Sequence, residues 1–207
     1  MGRPSERRGD VAELASKHEQ NRAEKREKLL VAAVEAFIEA GFDNTTVSDV
    51  VHRAGMTPST FYNYYRDKDA LRDELVATAA GRMVRALAEI RGAAEGVENY
   101  FRTSLRRLFN AVVADPTTST LLRRNVSHLR SLLDDKALKP VFAAIRGDME
   151  SFAARGLMNP IDVDYAGAVL RASSVEIAVV LLSRPDANAE EAVEFFTRVL
   201  SAAFSFR

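Results

Sequence analysis

Ala54-Gly55-Met56-Thr57-Pro58-Ser59-Thr60-Phe61-Tyr62-Asn63-Tyr64-Tyr65-Arg66-Asp67-Lys68 is the stretch that decides how this chain is read. Gly55-Met56 breaks a preceding helix. Thr57 is a good N-cap, and Pro58 suits a first helical position, where no amide donor is needed. The pattern predicts a short helix over 58–65. Four aromatics on two turns cannot all face inward, so Phe61 and Tyr65 are expected in a core and Tyr62 and Tyr64 outside it.

Upstream, Thr46-Val47-Ser48-Asp49 reads as a capping box opening a helix over 47–54. That helix offers Val47, Val50, Val51 and Ala54 to a core, and at two turns it needs neighbours to be stable. Before it, Leu29, Leu30, Ala33, Val34, Phe37 and Ala40 recur at helical spacing from about Glu24, and Gly41 sits at the C-terminal cap position. Downstream, Asp67 is expected to cap a fourth helix running from Lys68 toward Arg91. Two short helices joined by a glycine-containing turn have the proportions of a helix-turn-helix, whose second helix enters a major groove by its N-terminal end. Serine, threonine and tyrosine hydroxyls there suit phosphate oxygens and base edges.

From Lys25 to Leu75 the chain resembles the DNA-binding domain of the TetR (tetracycline repressor) family. The resemblance is carried by Thr45-Thr46, by Ala54-Gly55-Met56-Thr57, and by Phe61-Tyr62-Asn63-Tyr64-Tyr65 followed by Lys68. The departures are Met for Val, Thr for Ser, Tyr for His and Tyr for Phe, and Ser48 stands where many members carry Arg. The resemblance implies that Thr46 and Thr57 cap helices and bind phosphate. It places Ser48, Pro58, Ser59 and Thr60 at base edges, Tyr62, Asn63 and Tyr64 on the DNA backbone, and Lys68 on a phosphate.

Composition sets the bounds around this motif. The 207 residues include no cysteine, so disulfides, thiolate metal sites and cysteine nucleophiles are excluded. Lysine plus arginine equals aspartate plus glutamate at 29 each, and residues 1–75 hold 12 basic against 14 acidic side chains, so attraction to phosphate must come from local placement. The N-terminus lacks the apolar region of a secretory signal, and no apolar run is read as reaching bilayer length; a cytoplasmic protein without membrane contact is expected. His18, His52 and His128 are scattered, no phosphate loop or nucleophile elbow is present, and no catalytic residue, metal or cofactor is assigned. The chain is read as a non-enzyme.

The expected fold is all-α: a flexible arm over 1–21, a three-helix helix-turn-helix domain over 22–70, and a helical ligand-binding and dimerisation domain over 71–207. Further helices are expected at 96–114, 118–133, 138–154, 162–183 and 188–205. In the arm, Arg3, Arg7 and Arg8 are read as a solvated tail, with minor-groove contact as the alternative. The last two helices are expected to form a homodimer interface through Ala168, Ala172, Val193, Phe196 and Leu200, and the resemblance implies a four-helix bundle shared by two subunits. Ligand-lining residues are expected among Phe101, Leu105, Phe109, Asn125, His128, Phe142, Met149 and Phe152, with Met83 and Leu87 nearby. Glu176 is expected at the interface or on a ligand. The function expected is a repressor that binds a palindromic double-stranded operator as a homodimer and is released by an apolar or amphipathic small-molecule effector. The alternative is a helical protein-binding adaptor without DNA binding.

Overall fold

The computed structural model of the chain describes residues 4–113, 116–126, 136–159, 162–184 and 186–206. They form nine α-helices, and no strand occurs among them. Two compact units divide between Arg72 and Asp73; the sequence reading set that boundary at 70/71.

The N-terminal unit is built on α1 (Pro4–Ala40), α2 (Val47–Arg53) and α3 (Pro58–Tyr62), closed by the start of α4 (Lys68–Ala93). α1 begins at Pro4, so helix covers most of the stretch read as an arm. Residues 16–28 are all exposed, and Leu29 is the first buried side chain among those described. Over 16–28 the helix has no packed apolar face for a sequence pattern to detect, only good helix formers such as Glu, Lys, Arg and Ala. Beyond Leu29, α1 packs on α2 and α2 on α3, and Ala33 and Phe37 of α1, Val50 and Val51 of α2 and Phe61 of α3 are all buried.

The C-terminal unit is organised around α5 (Val97–Val113), whose residues Tyr100, Phe101, Leu105 and Phe109 are buried. α6 (Pro116–Arg124), α8 (Val163–Ser183) and α9 (Ala189–Phe204) pack on α5, and α7 (Lys139–Ala154) packs on α8. α9 is the main partner of α5, and Arg106 of α5 donates from Nε to Glu190 of α9 at 2.8 Å. α8 corrects one expectation. It is long and apolar enough, by length and composition, to cross a bilayer, although Arg171 and Glu176 interrupt it. Only a third of its most apolar window is buried within the unit.

Candidate nucleic-acid interface and effector cavity

The N-terminal ends of α2 and α3 are each fixed by a threonine side chain. Gly41 takes φ 81° after α1 and its amide donates to the Phe37 carbonyl at 3.0 Å, turning the chain as only glycine does cheaply. Thr45, fully buried, donates its hydroxyl to the Gly41 carbonyl at 2.8 Å and anchors the loop from inside. Its neighbour Thr46 faces out and closes the capping box. The Thr46 amide donates to Asp49 Oδ2 at 2.7 Å, and the Asp49 amide donates to Thr46 Oγ1 at 3.2 Å. The Thr46 hydroxyl also donates to Asp49 Oδ2, at 2.7 Å, and this bond first and the Thr46 amide second hold the Asp49 carboxyl below its ordinary range. Arg53 at the far end of α2 grips Glu39 of α1 through both guanidinium nitrogens, at 3.0 and 2.5 Å.

Gly55 takes φ 65° in the turn. Thr57 then caps α3, accepting from the Thr60 amide at 3.3 Å, and the two threonine hydroxyls lie 3.0 Å apart. Pro58 occupies the first turn as expected. α3 stops at Tyr62 rather than Tyr65, where the amides of Asn63 and Tyr64 turn onto the carbonyls three residues back, Thr60 and Phe61, at 3.3 and 2.9 Å. Phe61 is 0% exposed and Tyr65 is buried beside it, whereas Tyr62 is 58% exposed. Pro58, Ser59 and Asn63 are exposed and Thr60 is half-buried; on α2, Ser48 is exposed. α3 thus turns an uncharged row of hydroxyls, a proline and a phenol outward, and it carries no charged residue. Tyr64 is half-buried, with the Arg22 guanidinium of α1 5.9 Å from its ring centroid.

Lys68 differs from the expectation. Its ammonium donates to the carbonyls of Phe42, Asp43 and Thr45 at 2.6, 3.1 and 2.7 Å and lies 4.5 Å from the Phe42 ring centroid. An ammonium has three N–H donors, so all are spent on the α1–α2 loop. A phosphate would have to displace one of them. Thr45 is the residue the sequence reading passed over here; its signal was the doubled threonine, of which only one can face out.

A sequence profile of the family described as "Bacterial regulatory proteins, tetR family" matches residues 29–75, the segment just built. Over those residues the chain is similar to the tetR family. It is similar to the HTH-type transcriptional regulator YvdT of Bacillus subtilis (strain 168), with 38% identity over 77 residues that make up 37% of this chain and 38% of YvdT. The chain therefore matches well under half the length of that curated relative. Solved structures extend the likeness of fold to the C-terminal unit. The fatty acid degradation regulator FadR from Bacillus halodurans gives a TM-score of 0.74 at 18% identity, over 88% of this chain and 97% of that one. FadR from Bacillus subtilis in complex with stearoyl-CoA gives 0.73 at 17% identity, over 84% and 96%.

The C-terminal unit, the body of the chain, holds a partly open cavity of about 370 Å³. Of the expected lining, Phe101 and Leu105 are found on its wall, with Met83 and Leu87. Phe109, Met149 and Phe152 instead fill the solid core. Phe152 stacks edge-on against Tyr100 with centroids 5.2 Å apart. Phe142 lines a separate hollow of about 210 Å³ and lies beneath the Arg171 guanidinium, 5.0 Å from its ring centroid. Asn125, just past the end of α6, donates to the Leu121 carbonyl of that helix at 2.7 Å. His128 lies outside the described residues.

Sequence reasoning missed the buried polar cluster behind the cavity. Asp148 of α7 is buried, accepts from the Tyr100 hydroxyl, and pairs with Nε of Arg91, which is half-exposed at the end of α4. Burial first, and then Asp148, push the Tyr100 phenol well above its ordinary value. The clue was available: Asp148 follows Val141 by seven residues and precedes Phe152 by four, so an acid stands in the core register of α7.

The expected dimer residues divide. Ala168 and Ala172 are exposed on α8, as an interface requires. Val193, Phe196 and Leu200 are buried in the subunit's own core with Ala189 and Phe204, at spacings of three and four that face α5. The opposite face of α9 presents Phe195 and Val199, and α8 presents Tyr165, Val169 and Val180. Of the seven large apolar side chains exposed among the described residues, five belong to these two helices. Glu176 is exposed on α8.

Proposed function

We propose that this chain is a cytoplasmic, sequence-specific DNA-binding transcriptional regulator, not an enzyme, acting as a homodimer on a palindromic operator. The observation that carries the reading is the division of α3. Phe61 and Tyr65 lock it to the N-terminal unit, while Pro58, Ser59 and Tyr62 stand in solvent on a helix of major-groove dimensions. Thr60, Tyr62 and Asn63 supply hydroxyl and amide contacts to bases and backbone without formal charge, and Thr46, Ser48 and Thr57 flank them. The apolar faces of α8 and α9, left open by a single chain, pair across a two-fold axis and set two such helices against the two half-sites.

The body senses an apolar or amphipathic small molecule, and the regulator is a repressor released by it. A ligand shifts the two heads only if it prefers one of their arrangements, because equal affinity for both shifts nothing.

Retardation of the chain's own promoter fragment tests the first part. Binding should weaken steeply with salt, since phosphate contacts release counterions. Thr60→Ala and Tyr62→Ala should each lower operator affinity about tenfold to a hundredfold, with unchanged thermal melting. Normal operator binding by both variants, or no salt dependence, would favour a protein-binding adaptor and end this reading.

A further inference from the structure

The wall of the 370 Å³ cavity specifies its occupant more closely than its size does. Inside, the wall is hydrocarbon: Met83 and Leu87 of α4, Phe101 and Leu105 of α5, Ile145 of α7 and Leu170 of α8. The hydroxyls that reach it are already committed. Tyr100 donates to Asp148, Ser104 to the Tyr100 carbonyl at 2.8 Å, and Ser174 to the Leu170 carbonyl at 2.7 Å. A polar centre carried deep into this space would lose water and find no donor in exchange.

The charged side chains of the lining are both basic. Arg82 and Arg107 both line it and both are exposed, and no acidic side chain lines it. Arg107 is shared with Glu89 at 3.1 Å, an exposed pair that an incoming anion can replace at little cost.

We propose that the cavity binds an amphipathic anion, with a hydrocarbon tail inside and its anionic head at Arg82 and Arg107. At roughly 30 Å³ per water-sized group, the space holds on the order of a dozen non-hydrogen atoms, the length of a medium-chain acyl tail. The inference rests on the reading of the C-terminal unit as the effector-sensing body. A free carboxylate and an acyl thioester of a phosphate-bearing carrier share this chemistry.

Calorimetric titration of the full chain, without DNA, tests it with sodium dodecanoate, dodecanoyl-CoA and dodecanol below their aggregation limits. One of the anions should bind saturably, one per chain, at least tenfold tighter than dodecanol. Dodecanoate alone identifies the free carboxylate as the source; dodecanoyl-CoA alone identifies the thioester. The double variant Arg82→Gln/Arg107→Gln should bring the anion down to the level of dodecanol. Ala86→Phe, which fills the cavity, should abolish binding of every probe; should it fail to melt cooperatively, the arginine variant decides alone. No saturable binding of either anion overturns the proposal. So does equal binding of dodecanol, or an anion affinity indifferent to the two arginines. Because the readout involves no DNA, such a failure leaves operator binding untouched, and loss of operator retention leaves the cavity result standing.

Discussion

α2 with α3, and α8 with α9, are two helix pairs specified in opposite ways. The N-terminal pair buries only Val50, Val51 and Phe61. What defines it lies at the helix ends: a capping box, a proline in the first turn, and glycines at positive φ. The C-terminal pair is long and apolar on more than one side, so its end signals say where the helices start and not which way they face. α9 shows the consequence, with Phe195 and Phe196 adjacent in sequence yet 53% and 2% exposed. Short helices are fixed by local hydrogen bonding, whereas long apolar ones are oriented by the neighbour they meet.

Those two phenylalanines offer the sharpest way to break the comparison. Phe196→Ala should cost about 3–5 kcal/mol by denaturant unfolding, the cost of emptying a core ring. Phe195→Ala should leave the subunit core intact and instead weaken self-association in sedimentation equilibrium. Equal losses of fold stability would show that α9 has no distinct outer face.

Asp148→Ala comes next, at about 2–4 kcal/mol, because it strands the buried Tyr100 hydroxyl and removes the partner of Arg91. Solvent around the half-exposed Arg91 keeps the loss below that of a fully buried pair. Urea unfolding would measure it, and a loss below about 0.5 kcal/mol would remove any structural role for the cluster.

At the N-terminal pair the effects should be smaller and sit at helix ends. Thr57→Ala should cost about 1 kcal/mol, the worth of an N-cap, while Thr57→Ser should restore most of it. Thermal melting would distinguish them, and no difference between the two would mean that the cap contributes nothing.

The last test is a titration. The Tyr100 phenol is raised above its ordinary value of about 10, so the folded state holds this proton more tightly than the unfolded chain. The stability this contributes is fully present below about pH 10 and is lost as pH rises beyond it. Ultraviolet titration should show no Tyr100 phenolate while the chain is folded, and its phenolate should appear when alkali unfolds the chain. Tyr100→Phe should lower the phenolate released at that step by one.

The N-terminal unit was readable almost residue by residue. Thr46, Asp49, Thr57 and Pro58 act within a few positions of themselves, and the alternation of Phe61 and Tyr65 with Tyr62 follows from helical period alone. Lys68 was not readable in this way, since its three acceptors lie more than twenty residues upstream. In the body, periodicity marked six of the expected lining residues as apolar and helical, but could not say that Phe109, Met149 and Phe152 only fill the core, that Phe101 and Leu105 also reach the cavity wall, or that Phe142 lines a separate hollow. A hydrocarbon side chain reads the same against another side chain or against an empty volume.

Sequence alone determined the all-α class, the helix-turn-helix with its caps, and the identity of the side chains on α3, because each depends on spacing along one chain. Tertiary structure alone decided which face of α9 is core, which side chains line the cavity, and that Asp148 joins Tyr100 to Arg91. Those outcomes depend on which surfaces meet across long separations in sequence, and apolar periodicity fixes the existence of a face without naming its partner.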